Sequence, residues 1–254
     1  MRKGPVRFAL FFFVLFIVPR GARAQWKTPW SYNKGADGPA RWASLDPAYA
    51  ACNGNEQSPI DIRYAGKAAL PALRFDFKPG PLDIVNNGFT AVRVDYAPGN
   101  GNVLIVGGKR YELTQFHFHH PSEEWIHGKP YDMGAHFMFV AGDGTVAGVA
   151  VFLKAGKPNA AIEQLWKYMP KAAGKAREIS GVAFDPAGLL PRNTAYYTYM
   201  GSISAPPCTE GVKWFVLKTP VSISRTQINA FARLYPHDVR PIQPLDGRIV
   251  KQGQ

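Results

Sequence analysis

The densest chemistry in the chain is one stretch. Gln115-Phe116-His117-Phe118-His119-His120 is followed by Ser122-Glu123-Glu124 and then by His136. Successive side chains of a strand point to opposite faces. That alternation puts Tyr111, Leu113, Gln115, His117 and His119 on one face, and Phe116, Phe118 and His120 on the other. Two histidines at i and i+2 of a strand can reach one metal ion, and His136, in the next strand, is the candidate third ligand. Three protein ligands with an open fourth position is the catalytic zinc arrangement. Zinc on neutral imidazoles stays strongly Lewis acidic and lowers the pKa of a bound water to about 7. Gln115, on the same face, can accept a hydrogen bond from a ligand imidazole and fix its tautomer. The alternative is a set of strand histidines satisfied by hydrogen bonds alone.

The elements that must position these residues are mostly strands. Gly and Pro punctuate short segments throughout, a texture of strands joined by turns. Thr90–Tyr96, Val103–Val106, Lys109–Phe118, Asp132–Val140, Val146–Leu153 and Lys213–Leu217 read as strands, with turns at Asn86-Asn87-Gly88 and Gly99-Asn100-Gly101-Asn102. Two helices are expected. Ala160–Met169 is stopped by Pro170; the other follows Ser224, with Gln227 completing a capping-box pattern ahead of the Ile228, Phe231, Ala232, Leu234 stripe. The plain reading is one single-domain, mainly β protein built on an antiparallel sheet.

Residues 1–24 have the form of a secretory signal peptide. Arg2, Lys3 and Arg7 precede an apolar run of 11 residues from Phe8 to Val18. Such a run is too short to span a bilayer core of about 30 Å. Ala22-Arg23-Ala24 supplies the small-x-small cleavage pattern, so the mature domain is expected to be 25–254, periplasmic or secreted, with an uncleaved anchor as the alternative. No later stretch is apolar enough to cross a membrane. The segment holds five of the basic residues and no acid, so the formal charge of +12 falls to +7 once it is removed. That excess is mild, the cations are scattered, and no helix-turn-helix or zinc-finger pattern is present, which argues against nucleic-acid binding. An exported chain meets an oxidising environment, so Cys52 and Cys208 are expected to form a disulfide, with two free thiols as the alternative.

Further motifs narrow the reading. Trp30-Ser31-Tyr32, Gly38-Pro39 and Trp42 come first, then Gln57-Ser58-Pro59-Ile60-Asp61-Ile62 and Asn86-Asn87-Gly88. Gln115 to His119 and Ser122-Glu123 follow, then Tyr199-Met200-Gly201-Ser202-Ile203-Ser204-Ala205-Pro206-Pro207-Cys208, Trp214 and Arg240-Pro241-Ile242-Gln243-Pro244-Leu245. In this order they resemble an alpha-class carbonic anhydrase over Trp30 to Arg248. The resemblance implies an α+β roll with a central twisted sheet of about ten mostly antiparallel strands and short peripheral helices. It implies Zn2+ on His117, His119 and His136, and reversible hydration of carbon dioxide to bicarbonate and a proton by a zinc-bound hydroxide. Ser204 would accept the hydroxide's hydrogen bond and donate its own to Glu123. Met138, Gly148, Val151, Ile203 and Trp214 would hold the carbon dioxide; Gln115, Glu124 and Tyr199 would support the ligands; Tyr32, Asn87, Phe89 and Ala205 would form the rim. Sulfonamides and anions are expected as inhibitors, and the chain as a monomer or homodimer. Cys52 and Cys208 fall where exported members form a disulfide.

The chain also departs from that family. Phe89 stands where efficient members carry a proton-shuttling histidine, so turnover is expected to be limited by proton transfer and rescued by small buffers. Gly134 stands where the family has a glutamate that accepts a hydrogen bond from the third ligand, while Glu124 replaces that glutamate's usual histidine neighbour. The Glu124 carboxylate is expected to fill the space left by glycine and orient His136 from the other side; a loosened third ligand is the alternative. Ser204 keeps the hydroxyl of the usual threonine without its methyl. Met138 and Gly148 stand where valines commonly sit. Two rivals remain: a non-catalytic carbonic-anhydrase-like binding protein, and a cupin, whose first motif His117-x-His119 with Glu123 resembles although the second is not evident.

Overall fold

Short runs rich in Val, Ile, Phe and Tyr, cut by Gly, Pro and Asn turns, become strands that join one large sheet. The computed structural model describes residues 28–88 and 92–253. The expected signal peptide and Phe89 lie outside the described residues.

The strands are β1 (Asp61–Ile62), β2 (Gly66–Lys67), β3 (Leu73–Asp76), β4 (Gly80–Asn86), β5 (Val92–Asp95), β6 (Val103–Val106), β7 (Lys109–His119), β8 (Trp125–Ile126), β9 (Met133–Ala141), β10 (Val146–Ala155), β11 (Arg177–Phe184), β12 (Tyr196–Ser202), β13 (Glu210–Leu217), β14 (Val221–Ile223) and β15 (Lys251–Gln252). Among the described residues three α-helices accompany them: α1 (Trp42–Leu45), α2 (Ala160–Tyr168) and α3 (Arg225–Ala232). Thirteen strands share one mixed sheet, ten of them side by side in the order β11-β4-β5-β7-β9-β10-β13-β12-β15-β2. β10 runs parallel to β13 and β14, and β15 to β2; the other pairings of this sheet are antiparallel.

The histidine strands β7 and β9 lie in the middle of this sheet. One face packs a large core containing Phe116, Phe118, Phe137, Phe139, Val149, Val151 and Leu153. Burying each phenylalanine contributes about 1.5–3 kcal/mol. Helices α2 and α3 cover this face with Ile162, Leu165, Ile228 and Phe231. The Ser224 capping box forms as expected. Its Gln227 also reaches α2: Oε1 accepts from the Asn159 N–H at 3.0 Å and Nε2 donates to the Asn159 carbonyl at 2.8 Å. Asn159 in turn caps α2 through its side chain. The other face carries a smaller cluster of Met138, Ala150, Phe152, Val212 and Trp214. The candidate third ligand, His136, lies beside this cluster, its ring 4.7 Å from that of Trp214.

The strict alternation expected along β7 breaks once. Register runs Leu113↔Phe139 and then Gln115↔Met138, so Thr114 is an extra, bulged residue. Its hydroxyl donates to the Met138 carbonyl at 2.9 Å. Tyr111 and Leu113 therefore belong to the large core with Phe116 and Phe118, not to the face of Gln115, His117 and His119. The bulge re-aims the second half of the strand. Strands β4 and β11 gave no clear sequence signal. β11 is an edge strand, mostly exposed, so no buried face imposes an alternation on it.

Candidate metal centre

His117 and His136 face each other directly across β7 and β9, and His119 is one step along the same face. Ring centroids lie 4.8 Å (His117–His119), 5.5 Å (His117–His136) and 4.8 Å (His119–His136) apart. One nitrogen from each ring falls within 4.8 Å of the others. The far nitrogen of each ring is tied. His117 Nδ1 meets Gln115 Oε1 at 2.8 Å, His119 Nδ1 meets the Asp238 carbonyl at 2.8 Å, and His136 Nε2 meets Glu124 Oε2 at 2.9 Å. Each partner oxygen accepts, so each tied nitrogen carries the proton and the facing nitrogen keeps its lone pair. Those facing atoms are Nε2 of His117, Nε2 of His119 and Nδ1 of His136. His119 Nε2 is buried with no hydrogen-bond partner among the described residues. Three convergent lone pairs, one of them orphaned, fit a tetrahedral zinc with one position to spare.

Burial, the His119 and His136 rings and the Arg93 guanidinium hold His117 well below the usual imidazole range; burial and His136 do the same to His119. Neutral imidazoles are what a metal needs. His136 goes the other way: burial lowers it, but the Glu124 and Glu123 carboxylates outweigh burial and raise it.

Glu124 is buried and hydrogen-bonds His136 from the segment after β7. Gly134 is two residues before His136 on β9. A Cβ there would stand 3.3 Å from both Cα and Cβ of Ser122. Ser122 fills that side and donates its hydroxyl to the Glu124 carbonyl at 2.9 Å. The carboxylate and the small residue are thus parts of one packing arrangement.

Glu123 is buried, its Oε1 accepting from the Arg240 N–H at 2.9 Å. Its Oε2 lies 3.7 Å from His119 Nε2 and 3.8 Å from His136 Nδ1. Burial raises its pKa, His136 lowers it, Glu124 raises it, and the Arg240 N–H and Ser204 hydroxyl lower it, leaving it at about 7. Asp238 is not singled out in the sequence, and Arg240 enters only as the start of a matching motif with no role attached. Buried Arg240 donates to Gln57 Oε1 at 2.7 Å, the Ser58 carbonyl at 3.0 Å and the Cys52 carbonyl at 2.8 Å. Asp238 Oδ1 accepts from the His120 N–H at 2.7 Å, which fixes the end of β7 while the Asp238 carbonyl fixes His119. Only the fold brings residues 238–240 to the histidines, so spacing alone could not find them.

The pocket wall differs from the expected set at two positions. Val151 pairs with Ala135 and packs in the large core, on the opposite face of the sheet from Met138 and Trp214. Strand parity gives Ala150 the place opposite His136, and Val212 joins Met138, Ile203 and Trp214 on the site's side. Gly148 is on the correct face but covered: a Cβ there would lie 2.7 Å from Trp214 Cε3 and Cζ3. The indole occupies the space a larger residue would take, and its Nε1 donates to the Ser202 carbonyl at 3.0 Å.

Tyr199 is buried with its hydroxyl 3.2 Å from Ser58 Oγ. Tyr32 packs edge-on against Trp30 and Trp42, and burial and the Glu123 and Asp238 charges raise its pKa well above that of an ordinary tyrosine. Asn87 sits in the turn after β4. Ala205 starts the turn that ends at Cys208, whose N–H donates to the Ala205 carbonyl at 2.8 Å. Cys52 and Cys208 are joined, with Cα atoms 4.8 Å apart, closing 156 residues and tying the 47–53 turn to the loop that carries Ser204. No helix among the described residues is long and apolar enough to cross a membrane.

Comparison with known proteins agrees with this geometry. The family model described as eukaryotic-type carbonic anhydrase matches residues 37–254. A carbonic anhydrase of Neisseria gonorrhoeae is 41% identical over 225 residues, covering 88% of this chain and 87% of the relative. One of Pectobacterium carotovorum is 38% identical over 251 residues, covering 98% and 99%. The alpha-carbonic anhydrase of Thermovibrio ammonificans, solved with the inhibitor sulfanilamide, superposes with a TM-score of 0.83 at 40% identity, covering 88% of this chain and 99% of that one. The cupin alternative ends here: the chain belongs to the eukaryotic-type (alpha) carbonic anhydrase family, a family of enzymes whose zinc cofactor its three histidines are positioned to bind.

Proposed function

We propose that the chain hydrates carbon dioxide reversibly to bicarbonate and a proton, with zinc held by Nε2 of His117, Nε2 of His119 and Nδ1 of His136. The observation that carries this is the convergence of three ring nitrogens within 4.8 Å, each on a ring whose other nitrogen is tied. Zinc bound there supplies a water acidified to a pKa of about 7. The chain's own residues do the rest. Gln115, the Asp238 carbonyl and Glu124 hold the ligand tautomers, which keeps the three lone pairs aimed at one point. Glu123 has one oxygen fixed by the Arg240 N–H and so offers the other to Ser204. A Ser204 hydroxyl that donates to Glu123 presents its own lone pair outward. It then accepts from the reacting oxygen, orients that oxygen's attacking lone pair and selects for groups able to donate. Met138, Ile203, Val212 and Trp214 give an apolar wall suited to neutral, linear carbon dioxide. Phe89 carries no titratable group, so the released proton has no side-chain shuttle there and leaves to buffer.

The same reading extends to setting and ligands. Residues 1–24 act as an export signal ahead of a mature domain 25–254, and the Cys52–Cys208 disulfide supports a periplasmic or secreted site in an oxidising compartment. Sulfonamides bind at the metal, as the sulfanilamide complex of the Thermovibrio ammonificans relative supports.

The test is stopped-flow carbon dioxide hydration on zinc-loaded protein across a series of imidazole concentrations. The rate is expected to climb with buffer and to vanish in His117→Ala. No hydration at any buffer level, with zinc content confirmed, overturns the reading; equal rates in dilute and concentrated buffer overturn the proton-transfer limit.

A further inference from the structure

Strand β5 brings a charged pair to the metal face. Arg93 pairs with His117 and Asp95 with Gln115 across the β5–β7 ladder. Directly opposed residues of an antiparallel pair project from the same face, with Cβ atoms about 4.5–5.5 Å apart. Arg93 and Asp95 therefore stand beside the ligand His117 and its Gln115 support. Arg93 Nε lies 2.7 Å from Asp95 Oδ1, and Nη2 donates to Oδ2 at 3.0 Å. The side chains are 37% and 29% exposed, so the pair is neither buried nor free in solvent. Among the described residues Asp95 is the guanidinium's one hydrogen-bond partner, through Nη2; Nε stands close to the same carboxylate in the ion pair without a hydrogen bond of its own. A guanidinium carries five N–H donors in a planar fork. No acceptor among the described residues takes the Nη1 edge, and the carboxylate on the other side braces the group.

We infer that Arg93, braced by Asp95, is a specificity-determining residue that binds small planar oxyanions, bicarbonate first among them, beside the metal. The inference rests on the proposed carbon dioxide chemistry and deepens it. A planar fork matches a trigonal oxyanion in two parallel hydrogen bonds, which a lysine cannot reproduce. Carbon dioxide is neutral and gains nothing from the charge. The residue thus discriminates between the two sides of the reaction: it holds the anionic product and related anions more firmly than the neutral substrate. Asp95 sets the strength. Its charge offsets that of Arg93 at a distance, while its geometry keeps the fork aimed.

The two members of the pair must then shift anion binding in opposite directions. The experiment uses protein with cobalt(II) in place of zinc, titrated with bicarbonate and separately with acetate, and reads the visible spectrum of the metal at low and at physiological ionic strength. A unit charge at this range, half-exposed, supports a change of about threefold to tenfold. Arg93→Gln is expected to raise both anion dissociation constants by that factor at low ionic strength, with a smaller effect once salt screens the charge. Arg93→Lys is expected to fall between the two, and Asp95→Asn to tighten binding. Imidazole, a neutral ligand, is expected to bind all variants within about twofold of the parent. Shifts of the same sign in Arg93→Gln and Asp95→Asn, or no shift beyond twofold in either, overturn the inference. Failure of the parent protein to give a cobalt spectrum overturns the metal assignment instead, so the two failures are distinguishable.

Discussion

Glu124 offers the sharpest test of how this metal centre is held. An ionised carboxylate can only accept, so it forces the proton onto His136 Nε2 and leaves Nδ1 its lone pair. In Glu124→Gln the amide oxygen can still accept at the same 2.9 Å position, so shape is kept while charge is lost. A hydrogen bond to a charged group contributes about 1.5–3 kcal/mol and a neutral one about 0.5–1.5. The difference, about 1–1.5 kcal/mol, is roughly a tenfold weakening of zinc binding. A turned amide does more harm: its NH2 would donate to Nε2, move the proton to Nδ1 and remove the ligand lone pair. Glu124→Ala loses the hydrogen bond altogether and is expected to weaken zinc by about 10–100-fold, the usual cost of losing a ligand's supporting partner. Competition with a chelator of known affinity measures the dissociation constant. Nitrogen-15 shifts of the His136 ring in metal-free protein report its tautomer without any reference to catalysis. The reasoning is refuted if both variants bind zinc within twofold of the parent and His136 keeps the same tautomer.

Other outcomes follow from the same structure. Dialysis against a chelator is expected to abolish hydration, stoichiometric zinc to restore it, and zinc at a thousandfold excess over its dissociation constant to stabilise the fold by about 4 kcal/mol in a thermal melt. Gly148→Val places a branched side chain where the Trp214 indole lies within 2.7 Å of even a Cβ. Overpacking costs about 1–3 kcal/mol, a fall in Tm of about 3–10 °C, and the displaced indole lowers activity through His136. Replacing Cys52 and Cys208 together with alanine opens a loop of 156 residues, for which chain entropy sets a loss of about 5 kcal/mol at most. Because that bond also anchors the Ser204 loop, hydration is expected to fall in denaturant well before the global unfolding midpoint.

The parts of the site that were legible in sequence are those that one strand can encode. His117-x-His119 with Gln115 needs only the alternation of a single strand, and that local rule holds from Gln115 onward. It fails two and four residues earlier in the same element, at Leu113 and Tyr111, only because Thr114 is bulged, and a bulge depends on what the partner strand does rather than on the residue's own type. The assignment of Val151 to the pocket failed for the complementary reason. β10 is buried on both faces, so its run of small apolar residues shows no alternation from which to read a face. Register against β9 decides it, and places Ala150 rather than Val151 opposite His136. Asp238 and Arg240 were harder still. They lie in a segment with no regular structure, more than a hundred residues from the groups they hold, and they act partly through backbone atoms that any residue possesses. The Glu124–Gly134 relation lies between these cases. Each residue alone reads as a surface carboxylate or a loose strand glycine. The two become informative together, because a carboxylate reaching His136 from the segment after β7 and a glycine on β9 admitting Ser122 of that segment solve one geometric problem. Support for a metal ligand is fixed by where an acceptor oxygen must be. The chain is free to deliver that oxygen from whichever element the packing allows.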